Sequence, residues 1–196
     1  MSKNAIFIGS SVSFGSGSTN SEKGWRFHIT NLLKENGWDV SDCSIGGQTT
    51  ADILLRLQKD VLDRKPDVCF VGLGLANEGL PGTAAPADGE IKRGIFESNM
   101  AKIVNALKRA GIIPIVGGVY PNNDYLPFHY EILKESNAAL KAAYDREGSL
   151  YLDWLSAVDD GNGHFAEGTF HDAGHPNDIG YGKMADAVKE KVAGIL

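Results

Sequence analysis

Two short segments, one near each end of the chain, carry residue types that could assemble a centre for acyl transfer. The first, Gly9-Ser10-Ser11-Val12-Ser13-Phe14-Gly15-Ser16-Gly17, follows an apolar run and offers several serine hydroxyls in a glycine-rich turn. The second, His171-Asp172-Ala173-Gly174-His175-Pro176-Asn177, sets a carboxylate three residues before a histidine. A serine hydroxyl attacks poorly at neutral pH and needs an imidazole to take its proton. The imidazole needs an acceptor on its other nitrogen, to hold the tautomer and stabilise the cation. D-x-x-H supplies both from one turn, tightened by Gly174 and Pro176, with Asn177 or Asp178 able to cap a following helix. Taken alone, the first segment also reads as a capped strand-to-helix turn, and the second as a surface histidine beside a capping aspartate. An anion cradle is a third reading of the first segment, but it lacks the P-loop lysine and does not fit G-x-G-x-x-G from Gly9.

Two further loops could stabilise a developing oxyanion. Ser44-Ile45-Gly46-Gly47-Gln48-Thr49-Thr50 can present the bare backbone N–H of Gly47, and Leu73-Gly74-Leu75-Ala76-Asn77-Glu78 offers the side-chain amide of Asn77. Individually they are an N-capped turn and a turn asparagine. Their joint occurrence, each after a predicted strand, raises them above that.

The elements that must position these loops alternate regularly. Ala5-Ile6-Phe7-Ile8 and Val68-Cys69-Phe70-Val71 are unbroken apolar runs of the kind buried on both faces of a sheet. Trp38 to Ser44 is a weaker strand. Ile112 to Val116 is a fourth, with Pro114 arguing against a central place, and Leu150-Tyr151-Leu152 is a short fifth. Helical stripes intervene: Trp25, Ile29, Leu32 and Leu33, ending at Asn36-Gly37; Ile53, Leu54, Leu57 and Val61; Phe96, Met100, Ile103 and Leu107, ending at Gly111; Leu133, Ser136, Leu140 and Ala143, ending at Gly148; and Tyr181, Met184, Val188 and Ile195. Five βα units with right-handed crossovers predict a parallel sheet with helices on both faces and ligands at the carboxyl ends of the strands.

Composition narrows the function class. Twenty-five acidic against 19 basic residues give a net charge of −6, which argues against nucleic-acid or anionic-membrane partners. No apolar stretch is long enough for a membrane span, and no signal peptide is recognisable, so the expected location is the cytoplasm. Cys43 and Cys69 are too few for a disulfide framework or a zinc site and read as reduced core residues. With no repeat or linker, residues 1–196 are expected to form one domain.

Together the four blocks resemble the SGNH hydrolase superfamily, the GDSL-type esterases and lipases. Gly9-Ser10-Ser11-Val12-Ser13 matches G-D-S-x-[ST], and Gly47 supplies the second block. Asn77 matches the asparagine of G-x-N-D, and Asp172-Ala173-Gly174-His175-Pro176 matches D-x-x-H-P. The likeness runs from residue 5 to about 195. It implies a three-layer α/β/α sandwich with a five-stranded parallel sheet, flavodoxin-like in its layering. It also implies ester hydrolysis through an acyl-enzyme: Ser11 as nucleophile, His175 as base and acid, Asp172 orienting it, and Ser11 N–H, Gly47 N–H and Asn77 as the oxyanion hole. No metal or organic cofactor is implied, and the partner would be a small ester. Two departures stand out. Ser10 replaces the aspartate of G-D-S, and G-L-A-N-E carries one extra residue, with Glu78 in place of aspartate.

The substrate is expected to be a short acyl ester, acetyl foremost, of a carbohydrate or another polar alcohol. Loop 79–89 offers little apolar bulk, while Tyr120, Tyr125 and Phe128, among Pro121 to Asp124, mix aromatic faces with hydrogen-bonding groups. Packing of these aromatics against the sheet is the competing expectation. An acyltransferase, a long-chain lipase or thioesterase on the same triad, a silent binding module and a nucleotide-binding fold are the alternatives. His28, His129, His164 and His171 are read as structural or solvent-facing.

Overall fold

The computed structural model describes residues 3–20, 24–146 and 150–194. The helix end expected at Gly148 and the stripe member Ile195 fall outside them. Five strands, β1 (Asn4–Gly9), β2 (Asp39–Asp42), β3 (Val68–Gly72), β4 (Ile113–Gly117) and β5 (Leu150–Leu152), form one sheet in the order β2-β1-β3-β4-β5. All four pairings are parallel. Helices α1 (Ser11–Phe14), α2 (Trp25–Glu35), α3 (Thr50–Asp60), α4 (Pro86–Arg109), α5 (Pro127–Arg146), α6 (Trp154–Val158) and α7 (Asp178–Val192) complete an α/β/α sandwich. A small antiparallel pair, β6 (Phe170–Asp172) and β7 (His175–Pro176), lies ahead of α7.

Strand alternation divides the core in two. Ile6 and Ile8 of β1, with Cys69 and Val71 of β3, face α3, α4 and α5, where Ile53, Phe96, Met100 and Leu133 are fully buried. Ala5, Phe7, Val68 and Phe70 point the other way, against Trp25 and Ile29 of α2, Trp154 of α6 and Tyr181 and Met184 of α7. Side chains pointing alternately to the two faces of a strand buried on both sides require this split. The Phe7 and Phe70 rings stack at 4.4 Å between centroids, and Trp25 meets Trp154 at 4.7 Å.

Three expectations from the sequence are corrected. The fourth strand is interior despite Pro114. Ile113 donates its N–H to Asp67 O, on the β3 side, and Gly118 donates to Leu152 O, on the β5 side. The alternation therefore turns position 114 toward β5, whose pairing starts only at Ile115↔Leu150. Among the described residues, the ladder on that side begins one residue later, so the proline removes no described hydrogen bond. Second, residues 79–89 are not an open loop: a 3₁₀ turn over Leu80–Gly82 leads into α4, whose first turn begins at Pro86. Third, Cys43 is only half-buried, with an Arg64 Nη1 at 3.2 Å from its sulfur, whereas Cys69 is fully buried.

Glycines at the carboxyl ends of the central strands open the crevice. Gly9 pairs with Gly72 across β1 and β3, and a Cβ on either would collide with the Ser13 side chain. A Cβ on Gly117 would collide with the Trp154 ring.

Candidate active site

Ser11 begins α1 directly after β1, and Ser10 occupies the N-cap without a side-chain cap bond. The Ser11 N–H thus lies in a first turn that gives it no helical partner. The short turn is held from several directions. Ser10 N–H donates to Gly72 O at 3.1 Å, and Arg26 Nε donates to Ser13 O at 3.1 Å while pairing with Asp42 at 3.2 Å. Tyr181 of α7 donates its hydroxyl to Ser16 O at 2.6 Å. Ser13, the nearest competing serine, is 1% exposed and donates its hydroxyl to Gly72 O at 3.0 Å, so it faces the strand ends rather than the cleft.

Asp172 and His175 sit on the small hairpin, which the sequence had suggested only as a loop. They are directly paired residues of β6 and β7, flanking the turn at Ala173-Gly174. His175 Nδ1 lies 2.8 Å from Asp172 Oδ1 and 3.0 Å from Oδ2, and Nε2 lies 3.0 Å from Ser11 Oγ. With Nδ1 donating to the carboxylate, Nε2 is free to accept from the serine hydroxyl. Partial burial opposes charge on Asp172, but the Gly174 N–H at 2.9 Å, the His175 ring and the charge of nearby His171 together hold its carboxyl below the usual carboxylate range. Asn177 follows as N-cap of α7, its Oδ1 accepting from Ile179 and Gly180 N–H. Pro176 O and the Cβ atoms of His175 and His171 crowd Gly17, whose positive φ of 89° keeps the Ser11 loop against the hairpin.

The loop after β2 reaches the same place. Ile45 N–H donates to Gly9 O at 3.0 Å, and a Cβ on Gly46 would lie 3.8 Å from the Cβ of Ser11. Gly47 is exposed with φ +77°, a conformation that favours glycine, and its surroundings are open to 4 Å. Thr49 caps α3 through a reciprocal box with Asp52. The next N–H, that of Thr50, goes instead to the buried carboxylate of Glu78 at 2.7 Å. Glu78 therefore joins the Gly47 loop to the Asn77 turn, a link the sequence did not disclose.

Asn77 lies in the 3₁₀ turn Leu75–Glu78 after β3, and its Nδ2 is 2.9 Å from Oγ of Ser10, the neighbour of Ser11. The extra residue in this block is absorbed by that turn, closed by Asn77 N–H to Gly74 O at 3.1 Å. Ser11, Gly47, Asn77, Asp172 and His175 are thus gathered at the carboxyl edge of the sheet.

The aromatic trio offers no open surface there, although the Tyr120 hydroxyl donates to Asn77 Oδ1 at 3.1 Å. Tyr120 is 2% exposed and Tyr125 4%, both packed inside, and Phe128 is half-buried in the first turn of α5 beside His129. Tyr120 tilts against Trp154 and Tyr125 against His129. Burial removes Tyr120 and Tyr125 as substrate-facing surfaces; packing against the sheet, the competing expectation, describes them. His129, fully buried, accepts from Leu126 N–H through Nδ1 and bonds Thr83 through Nε2, both at 2.9 Å. His164 reaches Tyr125 O at 3.0 Å. Among the described residues no group of three or more His, Cys, Asp or Glu side chains could hold a metal ion, and no helix is long and apolar enough to cross a membrane.

Comparison with known proteins identifies the family. The model of the GDSL-like lipase/acylhydrolase family matches residues 7–183. The chain is 33% identical over 92 residues to an arylesterase of Vibrio mimicus, covering 46% of this chain and 42% of that protein. It is 28% identical over 139 residues to the esterase TesA of Pseudomonas aeruginosa, covering 70% and 64%. The matches thus span less than two thirds of the length of these curated relatives. Among solved structures, the acetylxylan esterase Axe2 of Geobacillus stearothermophilus superposes with a TM-score of 0.75 at 20% identity, over 97% of this chain and 94% of that one.

Proposed function

The chain belongs to the GDSL-like lipase/acylhydrolase family, and from that premise we propose that it is a serine esterase that cleaves short-chain acyl esters of polar alcohols through an acyl-enzyme. The observation that carries this reading is the continuous line from Asp172 through His175 to Ser11, with contacts of 2.8 and 3.0 Å. His175 Nε2 takes the Ser11 proton as Oγ attacks the ester carbonyl. The imidazolium is stabilised by Asp172, which stays ionised. Negative charge on the carbonyl oxygen is met by the N–H groups of Ser11 and Gly47 and by the Asn77 amide. The imidazolium then protonates the leaving alcohol, and water, activated by the same base, releases the acid.

The short acyl preference is supported by the segment after β3, which closes on itself in 3₁₀ turns with Leu80 buried and so offers no apolar trough. The name of the Geobacillus enzyme, an acetylxylan esterase, fits a polar alcohol. A second reading, longer acyl chains, is favoured by one feature: Ile45, on the Gly47 loop, and Phe14, one turn after Ser11, are each 49% exposed. Turnover of aryl esters from acetyl to decanoyl separates the two. Under the proposal kcat/KM peaks between acetyl and butyryl, whereas a long groove would add about 0.8 kcal/mol per buried CH₂ and keep efficiency rising past octanoyl. Ser11→Ala must abolish turnover at every chain length while Ser13→Ala, if folded, retains it; a folded, active Ser11→Ala protein would overturn the serine-esterase reading itself.

A further inference from the structure

The side-chain amide of Asn77 has four hydrogen-bonding positions, two lone pairs on Oδ1 and two N–H groups on Nδ2. Three are already committed. Oδ1 accepts from Gly74 N–H at 3.3 Å and from the Tyr120 hydroxyl at 3.1 Å, while one N–H donates to Ser10 Oγ at 2.9 Å. The partners also fix which end of the amide is which. Exchanging oxygen and nitrogen would set the Gly74 N–H against an amide N–H, so the orientation follows from the network. One N–H is left, on the amide whose neighbour Ser10 adjoins the nucleophile.

The two side-chain partners are themselves immobile. Ser10 is fully buried and Tyr120 is 2% exposed. Tyr120 approaches so closely that a Cβ on Gly74 would lie 2.5 Å from its Cζ, so the glycine makes room for the ring. Burial pushes the phenol far above its ordinary range, so the hydroxyl remains a donor. The terminal torsion of an asparagine is otherwise broad, with little intrinsic preference. A donor free to rotate would lose the preorganisation that makes an oxyanion hole effective.

We propose that Tyr120 and Ser10 are positioning residues: they clamp the Asn77 amide so that its one uncommitted N–H points at the oxyanion above Ser11. Neither touches substrate. The loop after β4 thereby serves the site by aiming a donor on the loop after β3, and Ser10, in the position where the family carries aspartate, supplies the neutral acceptor that the amide needs. This rests on the esterase reading, which wild-type turnover and its loss in Ser11→Ala establish first and separately.

The test is a double-mutant cycle with a short-chain aryl ester. Tyr120→Phe removes one oxygen and keeps the packed ring; it is expected to lower kcat on the order of tenfold with KM nearly unchanged, less than the roughly 10²–10³-fold that loss of a whole oxyanion donor costs. Ser10→Ala should act in the same way. In an Asn77→Ala background, each second substitution should change kcat less than about twofold, because its only route to the chemistry is gone. Equal losses with and without the Asn77→Ala substitution would overturn the clamp, as would a rise in KM at constant kcat, which would make Tyr120 a substrate contact. Unchanged kcat in Tyr120→Phe would overturn it too. If Ser10→Ala fails to fold, the Tyr120→Phe arm decides alone.

Discussion

Asp172 and His175 face each other as a cross-strand pair over the two-residue turn Ala173-Gly174, with the imidazole Nδ1 within 3.0 Å of both carboxylate oxygens. A D-x-x-H spacing becomes a fixed contact because paired residues across such a turn have no freedom to separate. Asp172 is half-exposed, so its contribution to overall stability is small; its contribution to the state of His175 is not.

Asp172→Asn is therefore expected to leave the fold intact while lowering kcat by roughly 10²–10⁴, since the amide no longer holds the Nδ1–H tautomer and no longer balances the imidazolium. Thermal melts should superpose on those of the unmodified chain, and steady-state kinetics should show the loss in kcat rather than KM. A variant retaining more than a tenth of the activity would show that the hairpin geometry alone orients His175.

The Glu78 link between the Gly47 and Asn77 loops can be probed by stability. Glu78→Ala leaves the buried Thr50 N–H unpaired and is expected to cost about 1–3 kcal/mol. In a chain of this size that corresponds to a Tm lower by roughly 2–4 °C per kcal/mol. Glu78→Gln keeps an acceptor oxygen and should lose less than half as much. If the two variants melt together, the Thr50 bond is not what Glu78 supplies.

His129 makes the stability pH-dependent. Its Nδ1 accepts from Leu126 N–H, so the ring must be neutral, and Thr83, which donates to Leu80 O, takes the Nε2–H. Burial holds its pKa below the ordinary histidine value. The unfolded chain then binds the proton more readily than the folded one. This linkage is absent above the unfolded histidine value, about 6.5, and stability declines as pH falls from there through the lower folded value. The drop in Tm between pH 7.5 and 5 should be smaller in His129→Gln than in the unmodified chain, whatever the absolute stability of the variant. Parallel curves would rule out His129 as the source.

Two glycine substitutions should move stability in opposite directions. Gly117→Ala drives a methyl into the Trp154 ring and should cost about 1–3 kcal/mol by overpacking. Gly94 is an exposed interior position of α4 whose Cβ would meet open space. Gly94→Ala should stabilise by about 0.5–1 kcal/mol through helix propensity and a less flexible unfolded chain. Chemical denaturation resolves both, and a neutral Gly117→Ala would mean that Trp154 repacks freely.

The sequence determined the parallel sheet, because runs such as Ala5 to Ile8 and Val68 to Val71 are apolar on both faces, and such strands persist only under helices on each side. It also marked the candidate site residues, since Ser11 follows the first strand directly and the Asp172–His175 pair lies in one local segment whose spacing is itself the geometry. What it could not determine were relationships between segments distant in the chain. Pro114 stands in an interior strand with its nitrogen turned toward β5, on a side where the described pairing begins only at Ile115↔Leu150. Tyr120 and Tyr125 carry the same residue types whether they face a substrate or the core, and only the packing against Gly74, Trp154 and His129 turned them inward. Ser10 and Glu78, which stand where the family has aspartate, acquire partners 67 and 28 residues away in Asn77 and Thr50. A hydrogen bond of that kind depends on where two loops meet in space, and the crossovers of the sheet, not the spacing of residues along the chain, bring them together.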